Sequence, residues 1–331
     1  MPHSGAVKSL MNGTFPIYEI GAEFPNLGNN HFHNNFPYHK WGLMLNFSPL
    51  TNKEVLGFGI GVLPYININL NKRKESRWKF RFASGIGFIE KPFNNITNPK
   101  NMVIGSYINN ITDFTLCYEI YLPIGLSSKI GLGMQHFSNG AFTRPNHGLN
   151  LPYLSLSIKS EHKKQKKSTE EIKITNEKNS SFVGFHYGTK TLTFASENRY
   201  HVFQFSGGYS FGFKRGSFIH LQSDIIIDQS IPFLKKYDSN LKKSDKILVG
   251  ILSKYEKKFG QIGVFFGLGL YLHSPFKKFA QDWTYVNNGS FFYNRIGFKY
   301  YFLKNIFTQI SVRNHMQGAD NPEFGIVYKF K

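Results

Sequence analysis

Large apolar side chains fall on every second residue through much of the chain. In Arg77–Phe88 one set is Trp78, Phe80, Phe82, Ser84, Ile86 and Phe88; the set between them is Arg77, Lys79, Arg81, Ala83, Gly85 and Gly87. A β-strand sends two such sets to opposite faces. Ile262–Leu272 repeats the split, with Ile262, Val264, Phe266, Leu268, Leu270 and Leu272 on one side, and so do Phe203–Phe213 and Phe292–Tyr300. The pattern predicts strands near 16–24, 39–48, 54–70, 76–90, 108–121, 127–138 and 149–159, then near 181–193, 200–213, 216–228, 246–257, 260–272, 289–302, 305–316 and 322–330. Pro64 interrupts the longest, which reads either as two strands joined by a tight turn or as one bent strand.

Strand length separates two environments for this alternation. A soluble sandwich or lipocalin-like barrel uses strands of about 5–6 residues, whereas a tilted membrane strand needs about 9–11. Many segments here run to 11 or more. Three basic residues on one face of Arg77–Phe88 suit a wet lumen, with the apolar face turned to lipid. Links alternate between long (229–245, 273–288) and short (214–215, 258–259, 303–304), as in barrels with long outer loops and short periplasmic turns. The expected fold is all-β, an antiparallel transmembrane β-barrel of about 14–16 strands or two units of about eight. The expected organisation is a first β half over 1–159, a polar charged linker or loop over 160–180, and a second half over 181–331.

Composition removes several other classes. Aromatics at 17% beside only 18% charged residues exclude a disordered chain. One cysteine, Cys117, excludes an intramolecular disulfide framework and a cysteine-based zinc site. No run of 18 apolar residues is present, so helical spans are excluded and β-spans are not. The formal charge of +20 is spread through strands and turns; it suits a phosphate-rich glycolipid surface, and no nucleic-acid partner is expected.

Chemistry concentrates in Gly133–Asn150. Ile130, Leu132, Met134, His136 and Ser138 share the apolar side of one strand; Asn150, Pro152, Leu154, Leu156 and Ile158 share that of the next. The intervening turn should bring His136, Ser138 and Asn150 together on the lipid-facing wall. Polar groups there are costly unless they bond one another, which marks a candidate site. The set suffices for ester hydrolysis, with Ser138 as nucleophile, His136 as base and Asn150 accepting from the other imidazole nitrogen. Asn139, Gly140 and Asn146 are the candidates for oxyanion stabilisation or substrate positioning. No metal or other cofactor is expected in this scheme.

His-x-Ser-Asn followed by Pro-Asn-x-Gly resembles the active-site stretch of PagL-type lipid A 3-O-deacylases, outer-membrane barrels with a Ser-His-Glu triad. The stretch 52–159, with Asn98-Pro99-Lys100-Asn101 and Gly105-Ser106, also resembles the acyloxyacyl hydrolase/PagL-like proteins of Bacteroidetes-type bacteria. The resemblance implies His136 as base, Ser138 as nucleophile and lipid A or lipopolysaccharide as substrate. Asn150 stands where that family has Glu, which implies slower turnover. A second likeness is to outer membrane phospholipase A, which shares His-x-Ser-Asn-Gly and an Asn twelve residues after the serine, as Asn150 follows Ser138. That alternative brings calcium and a homodimer; its Arg- and Trp-containing signature after the glycine is absent. A non-catalytic barrel, whether pore, receptor or scaffold, is the third reading.

The resemblance implies the outer membrane. Phe330, one residue from the end, resembles the C-terminal assembly signal of bacterial outer-membrane proteins. Met1-Pro2-His3-Ser4 has neither the basic start nor the apolar core of a secretion signal, so a trimmed mature form or a misassigned start is expected. His31 and His33, flanked by Asn, read as solvated, and His315 with Asp320 and Glu323 reads as a loop cluster.

Overall fold

The computed structural model describes residues 10, 13–24, 39–71, 76–123, 125–160, 178–194, 198–214, 216–236, 242, 244–275, 291–315 and 318–330. Its strands are β1 (Tyr18–Phe24), β2 (Lys40–Pro49), β3 (Phe58–Asn69), β4 (Trp78–Ile89), β5 (Ile108–Tyr121), β6 (Leu126–Ser138), β7 (Leu149–Ser160), β8 (Ser180–Lys190), β9 (Tyr200–Gly212), β10 (Ser217–Asp228), β11 (Ile247–Phe259), β12 (Ile262–His273), β13 (Phe292–Tyr300), β14 (Ile306–His315) and β15 (Gly318–Phe330). Apart from β1 with seven residues and β13 with nine, every one has at least ten, the length a tilted membrane strand requires. His31, His33 and residues 161–177 of the charged stretch lie outside the described residues.

The chain divides into two compact units, one built on residues 1–139 and 145–171, the other on 140–144 and 172–331. In the first, β1 to β7 form an antiparallel sheet in chain order. The sheet is curled, so inward side chains of its two edge strands meet: Glu23 of β1 is paired with Lys159 of β7 and lies 3.3 Å from Lys40. Pro64 sits inside one continuous β3. Its pairing to β2 runs unbroken through Leu43↔Pro64, while the ladder to β4 is interrupted between Val62↔Ile86 and Tyr65↔Ala83, because proline has no N–H to give. In the second unit β8 to β15 close into an eight-stranded barrel through the pairing of β15 with β8, Phe324↔Tyr187 to Phe330↔Ser181.

Both faces follow the alternation, and much of the inward face is packed as ion pairs; of the three basic residues expected to face a wet lumen, Arg77 is exposed, Arg81 partly exposed and Lys79 buried. In the closed barrel Lys190, Lys254, Arg295, Lys299 and Arg313 are buried beside Asp224, Asp228, Glu256, Asp320 and Glu323. Arg295 lies 3.1 Å from Asp224 and 2.8 Å from Glu323; Arg313 lies 2.6 Å from Asp320, which also accepts from Lys190 at 2.7 Å. The His315 cluster is part of this interior and not of a loop, because β15 starts at Gly318 and turns Asp320 inward; His315 Nε2 is 2.8 Å from the Tyr271 hydroxyl. In the seven-stranded unit the interior has two zones. An ion-paired zone holds Lys79 with Glu119, and Arg81 with Asp113 at 3.1 Å. Nearer the long loops lies an apolar cluster that includes Leu63, Ile89, Val103, Ile111, Phe137 and Leu149.

Candidate active site

Phe137 decides where its neighbours point. It is fully buried in the apolar cluster, so strand periodicity turns His136 and Ser138 to the outer side of β6, beside exposed Ile130, Leu132 and Met134. The same logic holds on β7: Leu149 and Leu151 enter the cluster, and Asn150 faces out with Pro152, Leu154, Leu156 and Ile158. His136 and Asn150 are direct cross-strand partners, and His136 Nδ1 lies 2.6 Å from Asn150 Oδ1. An amide oxygen only accepts, so this bond keeps the proton on Nδ1 and makes Nε2 the unprotonated nitrogen of the neutral ring.

Ser138 stands two residues further along the same face, about 7 Å by strand rise. Asn146 holds it. Asn139 N–H donates to Asn146 Oδ1 at 3.0 Å, which orients the amide so that Nδ2 donates to Ser138 Oγ, also at 3.0 Å. Asn146 is itself anchored by a β-bridge to Ile104 and by His147 N–H donating to Val103 O at 2.9 Å. Asn101 shapes that anchoring segment, its Oδ1 accepting from the N–H groups of Val103 and Ile104 and its Nδ2 donating to Lys91 O. Asn139 Nδ2 donates to Ser106 Oγ at 2.7 Å, so both the backbone and the side chain of Asn139 are engaged. Gly140 and Ala141 are both in the left-handed region, at φ 66 and 69; for alanine this is a strained conformation of a kind that clusters at functional sites.

Of the residues expected from the sequence, His136 and Asn150 therefore meet directly, and Ser138, Asn139 and Asn146 form a second bonded group beside them. Two contributors had no part assigned to them from the sequence. Ser106 and Asn101, quoted above only for the resemblance, lie 30 and 35 positions before His136, and only the loop pairing reveals their part. Gly148 has φ +74, and a Cβ there would come within 2.7 Å of His136 Cε1. Glycine at this position leaves the imidazole its space.

The strands and their outward apolar faces define an outer-membrane-type β-barrel. Residues 17–159 match the profile of lipid A 3-O-deacylase (PagL), and residues 176–331 match that of the acyloxyacyl hydrolase C-terminal domain. The chain belongs to the PagL lipid A 3-O-deacylase family, and family and fold together point to the outer membrane. Among solved structures it is similar to OmpF of Salmonella typhi in complex with daunomycin, at 9% identity over 88% of this chain and 90% of that one, with a TM-score of 0.20. A mutant porin of Rh. blastica is 8% identical over 88% and 91%, TM-score 0.19. OprB of Pseudomonas putida is 7% identical over 95% and 87%, TM-score 0.18. No curated protein matches the chain.

Proposed function

We propose that the protein removes an ester-linked acyl chain from lipid A, as a 3-O-deacylase, at a site on the outer wall of its first unit. The observation that carries this reading is the 2.6 Å contact between His136 Nδ1 and Asn150 Oδ1, on the same outward apolar face as Ser138. Ser138 Oγ attacks the ester carbonyl as His136 Nε2 takes its proton. The tetrahedral intermediate collapses, the C–O bond to the sugar breaks, and the imidazolium returns the proton to the departing alkoxide. Water, deprotonated by the same nitrogen, then releases the fatty acid from the serine. Asn146 Nδ2, at 3.0 Å from Oγ, is the donor best placed to meet the developing oxyanion. Asn150 holds the tautomer but adds no charge to balance the imidazolium, so turnover slower than with a carboxylate follows.

Purified protein incubated with lipid A in detergent should give, by mass spectrometry, a product lighter by one acyl group, and Ser138→Ala should not. A product unchanged by Ser138→Ala would end the serine mechanism. The His136–Asn150 bond also favours a second reading, a phospholipase A-like enzyme with an amide-oriented histidine. Calcium-dependent turnover of glycerophospholipid, by a homodimer, would establish that reading instead.

A further inference from the structure

Three polar side chains on β4 and β5 share the outward face with the candidate site and lie in register with it. Ser84 is opposite Thr112, Thr112 is opposite His136, and Asn110 is opposite Ser138. Their surroundings on that face are apolar: Ile86, Phe82 and Phe114 on the same two strands, Met134 on the next. Exposed to hydrocarbon, such groups are costly unless bonded, and these are bonded to one another. Thr112 Oγ1 donates to Asn110 Oδ1 at 2.7 Å, and Asn110 Nδ2 donates to Ser84 Oγ at 3.0 Å. With the threonine proton spent, the 3.2 Å contact between Ser84 Oγ and Thr112 Oγ1 must run from serine to threonine. The second Asn110 amide proton goes to Gly85 O at 3.1 Å.

Every donor of this ring is thereby consumed, and what is left over is one accepting lone pair on each of the three oxygens. An anion such as phosphate finds nothing here to bind it. A hydroxyl O–H or an amide N–H does. We propose that Ser84, Asn110 and Thr112 form a substrate-positioning subsite that accepts a hydrogen bond from an uncharged donor a few bonds from the scissile ester. The inference rests on the esterase reading above and adds a selectivity to it: an acyl ester carrying such a donor is held with its carbonyl at Ser138, and a plain ester is not. The donor belongs either to the acyl chain, as a hydroxyl, or to the headgroup, as an amide or sugar hydroxyl.

The test uses the full chain in detergent micelles and matched ester lipids, one pair differing only in an acyl hydroxyl and one only in a headgroup amide or hydroxyl. The wild type should favour the donor-bearing member of one pair about tenfold in kcat/KM, mainly through KM, the worth of about one hydrogen bond; the pair that shows it identifies the source. Ser84→Ala/Asn110→Leu/Thr112→Val should bring that ratio close to one, and Thr112→Ser should keep it. A ratio unmoved by the triple change would overturn the proposal. On a Ser138→Ala background, binding of the same lipids, followed by quenching of a labelled acyl chain, should show the same loss of preference. If Ser138→Ala leaves hydrolysis intact, the catalytic reading fails on its own, and the binding comparison still decides the subsite.

Discussion

Asn150 and Gly148 act on one imidazole in different ways, and single substitutions separate them. Asn150→Asp should keep the bond to Nδ1 and place a negative charge behind the developing imidazolium; kcat for ester hydrolysis in micelles should rise about tenfold. Asn150→Leu removes the acceptor and should lower kcat by about a hundredfold with KM little changed, since tautomer and ring orientation are lost together. Gly148→Ala combines a left-handed φ, at about 1–2 kcal/mol for an L side chain, with a Cβ pressed on His136 Cε1. Its expected effect is a fall in kcat of at least tenfold, out of proportion to the small drop in thermal stability measured alongside.

At the level of strands and loops, position comes from alternation and its stability from buried amides. Asn101 is fully buried and bonds three backbone groups of one loop. Asn101→Ala should cost about 2–3 kcal/mol by leaving those groups unsatisfied. Because that loop bridges to Asn146, kcat should fall with the stability, and kcat read at a temperature where the variant is fully folded checks the link. Strand positions were legible in the sequence because period two is written locally: the segment read near 127–138 is β6, and that near 149–159 is β7. From those two, the meeting of His136 and Asn150 followed. The ring on β4 and β5 did not, since Ser84, Asn110 and Thr112 are unremarked polar residues until a long-range register sets them side by side. Nor could alternation say whether inward charges meet water or one another, because the partners, such as Lys79 and Glu119, lie 40 positions apart.

For the molecule as a whole, the packed bore weighs against conduction through the closed barrel. Among the described residues its ten buried Lys, Arg, Asp and Glu side chains are five basic and five acidic, so their formal charges cancel, and the formal +20 is carried by the rest of the chain. Such pairs contribute little net stability but are costly to break. Asp224→Ala leaves Arg295 and Tyr293 without their shared acceptor and should destabilise this unit by about 3–5 kcal/mol, seen as an earlier unfolding transition in detergent. The joint change Asp224→Leu/Arg295→Met should recover little of that loss, because Glu323, 2.8 Å from Arg295, is then the buried charge left without its partner.

His136 and Ser138 occupy the outside of the sheet, and on the proposed reading this alters the kinetics the protein should display. Its substrate arrives by lateral diffusion within a film two molecules thick. Diluting that film with inert detergent at constant bulk ester should therefore slow the reaction, whereas diluting the whole suspension with buffer should not.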